Sequence, residues 1–132
     1  IPTILKEVNI MLNLNSILVF SEDPKKLSGF YGEVFRRDPD WSEGSCFGFM
    51  VGHGFITFCP HDKVKGKNMN PERIMFNFET MEVKEEFERI KKLGASVIAE
   101  PYSPMEDPKG SIATFVDPDG NYFQLATPWE NK

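Results

Sequence analysis

Cysteine is almost missing from this chain: Cys46 and Cys59 are the only two in 132 residues. Two cysteines make no disulfide framework, and their spacing is not that of a zinc site. The expectation is a pair of reduced thiols in a cytoplasmic protein. Positive charge is also short, with 15 Lys and Arg against 20 Asp and Glu, a net charge of −5 and a pI near 5.1. Nucleic acid and anionic membrane surfaces, which need a basic patch, are therefore not expected partners. No apolar run approaches the roughly 20 residues of a membrane-spanning helix, and no signal-peptide pattern is visible. The chain opens on Ile1 rather than Met, and Met11 stays open as a native start. A phosphate-cradling glycine loop is missing, because Gly52-His53-Gly54 lacks the strand-to-helix context. So is a nucleophile elbow: Ser16 and Ser45 have no placed His and Asp beside them.

What is present is a core-forming composition, 40% hydrophobic and 27% charged, with twelve Phe. That length and balance predict one compact domain over residues 1–132. The sequence also reads as two copies of one unit. The first begins with the β run Ser16-Ile17-Leu18-Val19-Phe20. Asp23 then caps a helix that starts at Pro24, and Leu27, Phe30, Tyr31 and Val34 form its apolar stripe. Two β runs follow near Cys46–Val51 and Phe55–Cys59.

The second copy begins with Ile74-Met75-Phe76-Asn77-Phe78. Thr80 is the expected cap of its helix, whose stripe is Val83, Phe87 and Ile90. Glu82, Glu85 and Glu86 lie early and Lys91 and Lys92 late, as the helix dipole favours, and Gly94 stops the helix. Strands are expected at Ser96–Ala99, Ile112–Val116 and Tyr122–Ala126. Laid over each other, Ser16 matches Met75, Asp23 matches Glu82 and Thr57 matches Gln124. The predicted boundaries are module one about 12–60, a polar linker about 60–72 and module two about 73–127. Tyr102–Gly110 reads as a loop, and Leu12–Leu14 with the residues before them as a possible added edge strand.

The last two strands flank Asp117-Pro118-Asp119-Gly120-Asn121, a tight turn in which Pro118 fixes φ and Gly120 accepts a positive one. This hairpin resembles the last hairpin of the vicinal-oxygen-chelate superfamily, which holds glyoxalase I, extradiol dioxygenases and bleomycin-resistance proteins. Asp23-Pro24-Lys25-Lys26-Leu27 with Phe30-Tyr31 resembles that family's first helix, and Leu93-Gly94-Ala95 with Val97 resembles its second helix end. The resemblance covers about residues 12–127. It implies an α+β fold of two βαβββ modules forming a curled, cup-shaped mixed sheet, with helices on the outer face. It also implies a homodimer, with exchange of modules left open.

Strand alternation assigns the two faces. Ile17 and Val19, Ile56 and Phe58, Phe76 and Phe78, and Phe123 and Leu125 form wholly apolar sets, expected under the helices. The opposite sets are mixed and become the expected ligand-binding cup: Ser16, Leu18 and Phe20; Phe55 and Thr57; Met75 and Asn77; Tyr122 and Gln124. Further stacking faces are open at Trp41, Phe49 and Tyr102.

In metal-using relatives the cup floor holds four His or Glu ligands, one per strand. Carried over, those positions are Ser16, Thr57, Met75 and Gln124, none of them anionic or imidazole. Divalent first-row metals need His, Asp, Glu or thiolate donors, so no metal and no cofactor are expected. The candidate catalytic groups are then Glu79, as a base if buried, and His61, overhanging the cup from the linker. His53 is expected in a solvated turn. The resulting expectation is a metal-independent small-molecule binder akin to drug-sequestering proteins. A metal-dependent lyase or dioxygenase of the same superfamily is the alternative, and an interaction module with a filled cup is a third.

Overall fold

The computed structural model describes residues 11–104 and 110–128. The first module runs β1 (Ser16–Phe20), α1 (Pro24–Phe35), β2 (Trp41–Glu43), β3 (Cys46–Val51) and β4 (Gly54–Cys59). The second runs β5 (Phe76–Glu79), α2 (Val83–Lys92), β6 (Ser96–Tyr102), β7 (Ile112–Val116) and β8 (Tyr122–Ala126). Each module is βαβββ, and its strands form a four-stranded mixed sheet, ordered β1-β4-β3-β2 in one and β5-β8-β7-β6 in the other. The two sheets are separate and not closed on each other.

The repeat is written into the register. In each module the first strand lies parallel to the last, and Leu18 sits opposite Thr57 as Asn77 sits opposite Gln124. The other neighbouring strands are antiparallel. The helix starts follow their sequence signals only in part. Asp23 accepts a hydrogen bond from the Lys26 N–H at 3.2 Å, and Pro24 occupies the first helical position, as expected. Thr80 is not the second cap. The cap residue is Glu82, and Thr80 Oγ1 accepts from the Glu82 N–H at 3.0 Å, which shapes the turn before the helix. Gly94 ends this helix with φ +99°, a conformation that favours glycine.

The core is one aromatic-rich cluster around α1. Tyr31 stacks on Phe58 of the first sheet with centroids 5.0 Å apart, and meets Phe76 and Phe123 of the second edge-on. Phe35 likewise touches Phe49 of the first sheet and Phe78 of the second. Helix α1 therefore lies between the apolar faces of both sheets. Helix α2 covers the second sheet through Phe87, stacked on Phe115. Val19, Ile56, Phe58, Phe76, Phe123 and Leu125 are buried as the alternation predicts, and Phe78 is half-buried.

Several expectations are corrected. Ile17, placed under the helices, is exposed, because β1 is an edge strand and its outer side has no neighbour. Residues 12–15 form no strand, and Leu12 and Leu14 stand in solvent; the part of the expected edge strand before residue 11 lies outside the described residues. Ile74 and Met75 precede β5 rather than opening it. Strand β2 forms at Trp41–Glu43, where the sequence shows no β run. Cys46 and Cys59 are not free thiols. The antiparallel β3–β4 register brings them face to face with Cα atoms 4.3 Å apart, and their sulfurs are bonded.

Candidate functional site

The face of each sheet turned away from the helices holds the mixed residue sets. On the first sheet, Ser16 pairs with Phe55, Leu18 with Thr57 and Phe20 with Cys59. On the second, Asn77 pairs with Gln124, and the register continues to place Met75 beside Tyr122, just before β5. Thr57 is buried, Ser16, Phe55, Tyr122 and Gln124 are half-buried, and Leu18, Phe20, Met75 and Asn77 are exposed. Leu18 in particular keeps 60% of its surface in solvent. These are apolar groups standing open on a strand surface, with hydroxyl and amide groups between them.

The structure brings the four carried-over positions together only as two pairs. Ser16 and Thr57 are diagonal neighbours on β1 and β4, and Met75 and Gln124 are diagonal neighbours at the start of β5 and on β8. No hydrogen bond among the described residues joins one pair to the other. The Gln124 amide instead donates to Asn77 Oδ1 at 3.2 Å. The pairs present two hydroxyls on one sheet and a thioether with an amide on the other, none of them an anionic or imidazole donor. Among the described residues no group of three or more His, Cys, Asp or Glu could hold a metal ion.

A cleft of about 510 Å³ runs between the modules. Ile17 and Phe55 line it from the first module, Met75, Asn77 and Glu79 from the second, and His53 stands on its rim from the β3–β4 turn. Glu79 is exposed, so the burial beside Phe20 and Met75 that would make it a base is not found. His61 does lie against the expected surface, its ring 5.2 Å from Phe20 in edge-on contact. Its Nδ1 accepts from the Lys63 N–H at 3.0 Å, which leaves Nε2 as the other ring nitrogen. The Asp62 carboxylate lies 3.2 Å from the same Nδ1, but its side chain is 90% exposed and offers no buried acid–base partner. Phe49 is corrected from a stacking face to a core residue: it is fully buried against Phe35 and Phe58. Tyr102 ends β6 and is exposed; of the Tyr102–Gly110 loop, residues 105–109 lie outside the described residues.

Two features escaped the sequence reading. The 60–72 segment is no loose linker. Its Gly66 N–H donates to Glu22 Oε1 at 2.9 Å, and its Asn68 N–H to the Asp119 carbonyl at 2.8 Å, so it straps the end of β1 to the last hairpin turn. Gly48, inside β3, lies under the Phe55 ring and beside Trp41. An isolated glycine within a strand is itself a signal of close approach, and Gly48 carried that signal in the sequence.

Among curated proteins, the chain is 28% identical over 119 residues to the fosfomycin resistance protein FosX of Listeria monocytogenes, spanning 85% of this chain and 86% of that protein. Among solved structures it is similar to a mutant of that FosX in complex with Mn(II) and 1S,2S-dihydroxypropylphosphonic acid. The two are 27% identical, with a TM-score of 0.68 and coverage of 92% and 95% of the two chains. A glyoxalase-related enzyme from Fulvimarina pelagi shares the fold at a TM-score of 0.71 and 17% identity, over 89% of each chain. No helix among the described residues is long and apolar enough to cross a membrane. The glyoxalase-like domain family matches residues 16–126, and the chain belongs to that family.

Proposed function

We propose that this protein binds a small organic molecule on the strand faces turned away from its helices and holds no transition metal there. The observation that carries the reading is the donor set. The positions that ligate metal in metal-using relatives hold Ser16, Thr57, Met75 and Gln124, and the Gln124 amide is engaged with Asn77. What remains is apolar bulk interspersed with neutral hydrogen-bonding groups, the chemistry of a small-molecule pocket. The Mn(II) and phosphonic acid bound by the FosX mutant are that protein's ligands. Such chemistry here would need imidazole and carboxylate donors where this chain has none.

Both faces are open in a single chain, since α1 occupies the space between the sheets. In our reading the chain forms a homodimer of about twice the 15.1 kDa chain mass that leaves these faces accessible to a ligand. Light scattering after size exclusion measures that mass.

The function is tested by elemental analysis and a thermal-shift screen on the same preparation. The expected result is substoichiometric metal, a melting temperature unmoved by Mn(II) or EDTA, and stabilisation by organic compounds. About one tightly held Mn, Zn, Ni or Fe per chain would overturn the reading in favour of a metal-dependent enzyme.

A further inference from the structure

The strands are one-sided in charge. Among the described residues no Lys, Arg or His lies on a strand, whereas Glu43, Glu79 and Glu100 do. The register puts two of these on the open faces: Glu43 opposite Cys46, and Glu79 opposite Ala126. Basic side chains next to these surfaces sit on turns and loops. His61 lies edge-on to Phe20, Lys65 and Lys67 share a small cavity with Phe20 and Asp119, and His53 is on the cleft rim.

The first sheet adds an aromatic floor on the same face as Glu43. Trp41 of β2 stands opposite Gly48 of β3, and Phe55 reaches diagonally from β4 to cover that glycine. A Cβ at Gly48 would lie 2.6 Å from Phe55 Cζ and 3.3 Å from Trp41 Cε3, so the two rings converge there only because the residue is glycine. Trp41 keeps 44% of its surface in solvent. Glu43 lies two residues along the same strand, on the same side, and no side-chain hydrogen bond or ion pair among the described residues engages it.

We propose that the ligand of this surface is an organic cation with a flat aromatic body, stacked on Trp41 and Phe55 over Gly48, with its charge beside Glu43. The proposal rests on the ligand-binding reading above and names the ligand class. The faces of aromatic rings and a carboxylate both attract positive charge, and here they lie together with no cation on the sheet to compete. An anion meets neither.

The test titrates the full chain with proflavine, a planar cationic dye, and with 1-anilinonaphthalene-8-sulfonate, a flat anionic one, following fluorescence. Saturable proflavine binding, about tenfold tighter than the anionic dye, is expected. Trp41→Ala should weaken it about tenfold, and Glu43→Gln about threefold with loss of salt dependence. Gly48→Ala should weaken it too, because Phe55 must move, with circular dichroism verifying the fold. Tighter binding of the anionic dye overturns the ligand class while leaving the ligand surface standing. Proflavine binding indifferent to Trp41→Ala and Glu43→Gln places the dye elsewhere and overturns the proposal. Saturation by neither dye overturns it and counts against the function as well. A dimer that Trp41→Ala dissolves would assign this face to a second copy, which also overturns it.

Discussion

The Tyr31 hydroxyl donates a 2.6 Å hydrogen bond to Asp117 Oδ2, tying the helix of the first module to the last hairpin turn of the second across 86 residues. Asp117 also accepts from the Asp119 N–H, the Asn121 N–H and the Asn121 side-chain amide. One carboxylate thus closes its own turn and anchors a buried phenol. Tyr31→Phe keeps the stacking on Phe58 and removes only the donor. A loss of about 1–2 kcal/mol in urea-unfolding free energy is expected. No loss would mean that the bond contributes nothing net.

The same pair makes stability depend on pH. Burial is the largest influence on Asp117 and raises its pKa above the ordinary aspartate value, against the opposing hydrogen bonds from Tyr31, Asn121 and Asp119. Burial likewise holds the Tyr31 phenol well above its usual range. Both groups favour the protonated form in the folded state. The Asp117 contribution is complete below the unfolded carboxylate pKa of about 3.9 and is lost as pH rises through the folded value. The Tyr31 contribution is lost in turn at alkaline pH. Asp117→Asn should flatten the acid part of the profile and cost less stability than Asp117→Ala, since Asn still accepts from the turn N–H groups. Identical pH profiles for wild type and Asp117→Asn would refute this assignment.

Arg89 makes a second tie between modules, and its partner Glu86 responds to pH with the opposite sign. Its guanidinium donates to the Glu33 and Val34 carbonyls at the end of α1, at 3.1 and 2.6 Å, and to Glu86 on its own helix. Hydrogen bonds from Arg89, then the charges of Arg89 and Arg36, hold the Glu86 carboxyl below its usual range against a partial desolvation. That contribution is present above the unfolded pKa of about 4.3 and disappears as pH falls. Arg89→Met should cost about 1–3 kcal/mol at pH 7, chiefly from the two orphaned carbonyls, and less near pH 3. Urea unfolding at both values measures the difference.

Much of the fold was legible because its signals are local. Period-two alternation marked Val19, Phe58, Phe76 and Phe123 as inward, and the Asp-Pro-Asp-Gly-Asn turn placed the last hairpin. Other features depend on register or distance. Trp41-Ser42-Glu43 is too short to alternate, and becomes a strand only because β3 lies beside it. The Cys46–Cys59 bond needs the β3–β4 pairing, which spacing alone does not give. The strap from Asn68 to Asp119 and Asn121 joins residues up to 53 positions apart in the chain. The residues of the expected cup were legible as a face, but α1 lying between the sheets is a tertiary fact that no strand pattern encodes.

The strap gives its own prediction. Gly120 has φ +84°, and a Cβ there would lie 3.2 Å from the Asn68 carbonyl oxygen. Gly120→Ala should cost about 1–2 kcal/mol from the left-handed backbone alone. It should also speed hydrogen exchange at the Asn68 N–H, which now donates to the Asp119 carbonyl. Unchanged exchange there, with stability lost, would show that the turn and strap are energetically separate.

Restoring one metal donor should not restore a metal site. Gln124→Glu places a carboxylate at the position where metal-using relatives carry one, but Ser16 and Thr57 remain hydroxyls on the other sheet and Met75 a thioether. A single carboxylate on an open strand holds a divalent first-row ion weakly, since tight sites need several anionic or imidazole donors converging. Glu at 124 can still accept from the Asn77 amide once that side chain turns, so stability should change by less than about 1 kcal/mol. Isothermal titration with Mn(II) should give no saturable binding at micromolar concentration. A stoichiometric site created by this one substitution would mean that the other three positions contribute more than their chemistry allows, and the metal-free reading would have to be abandoned.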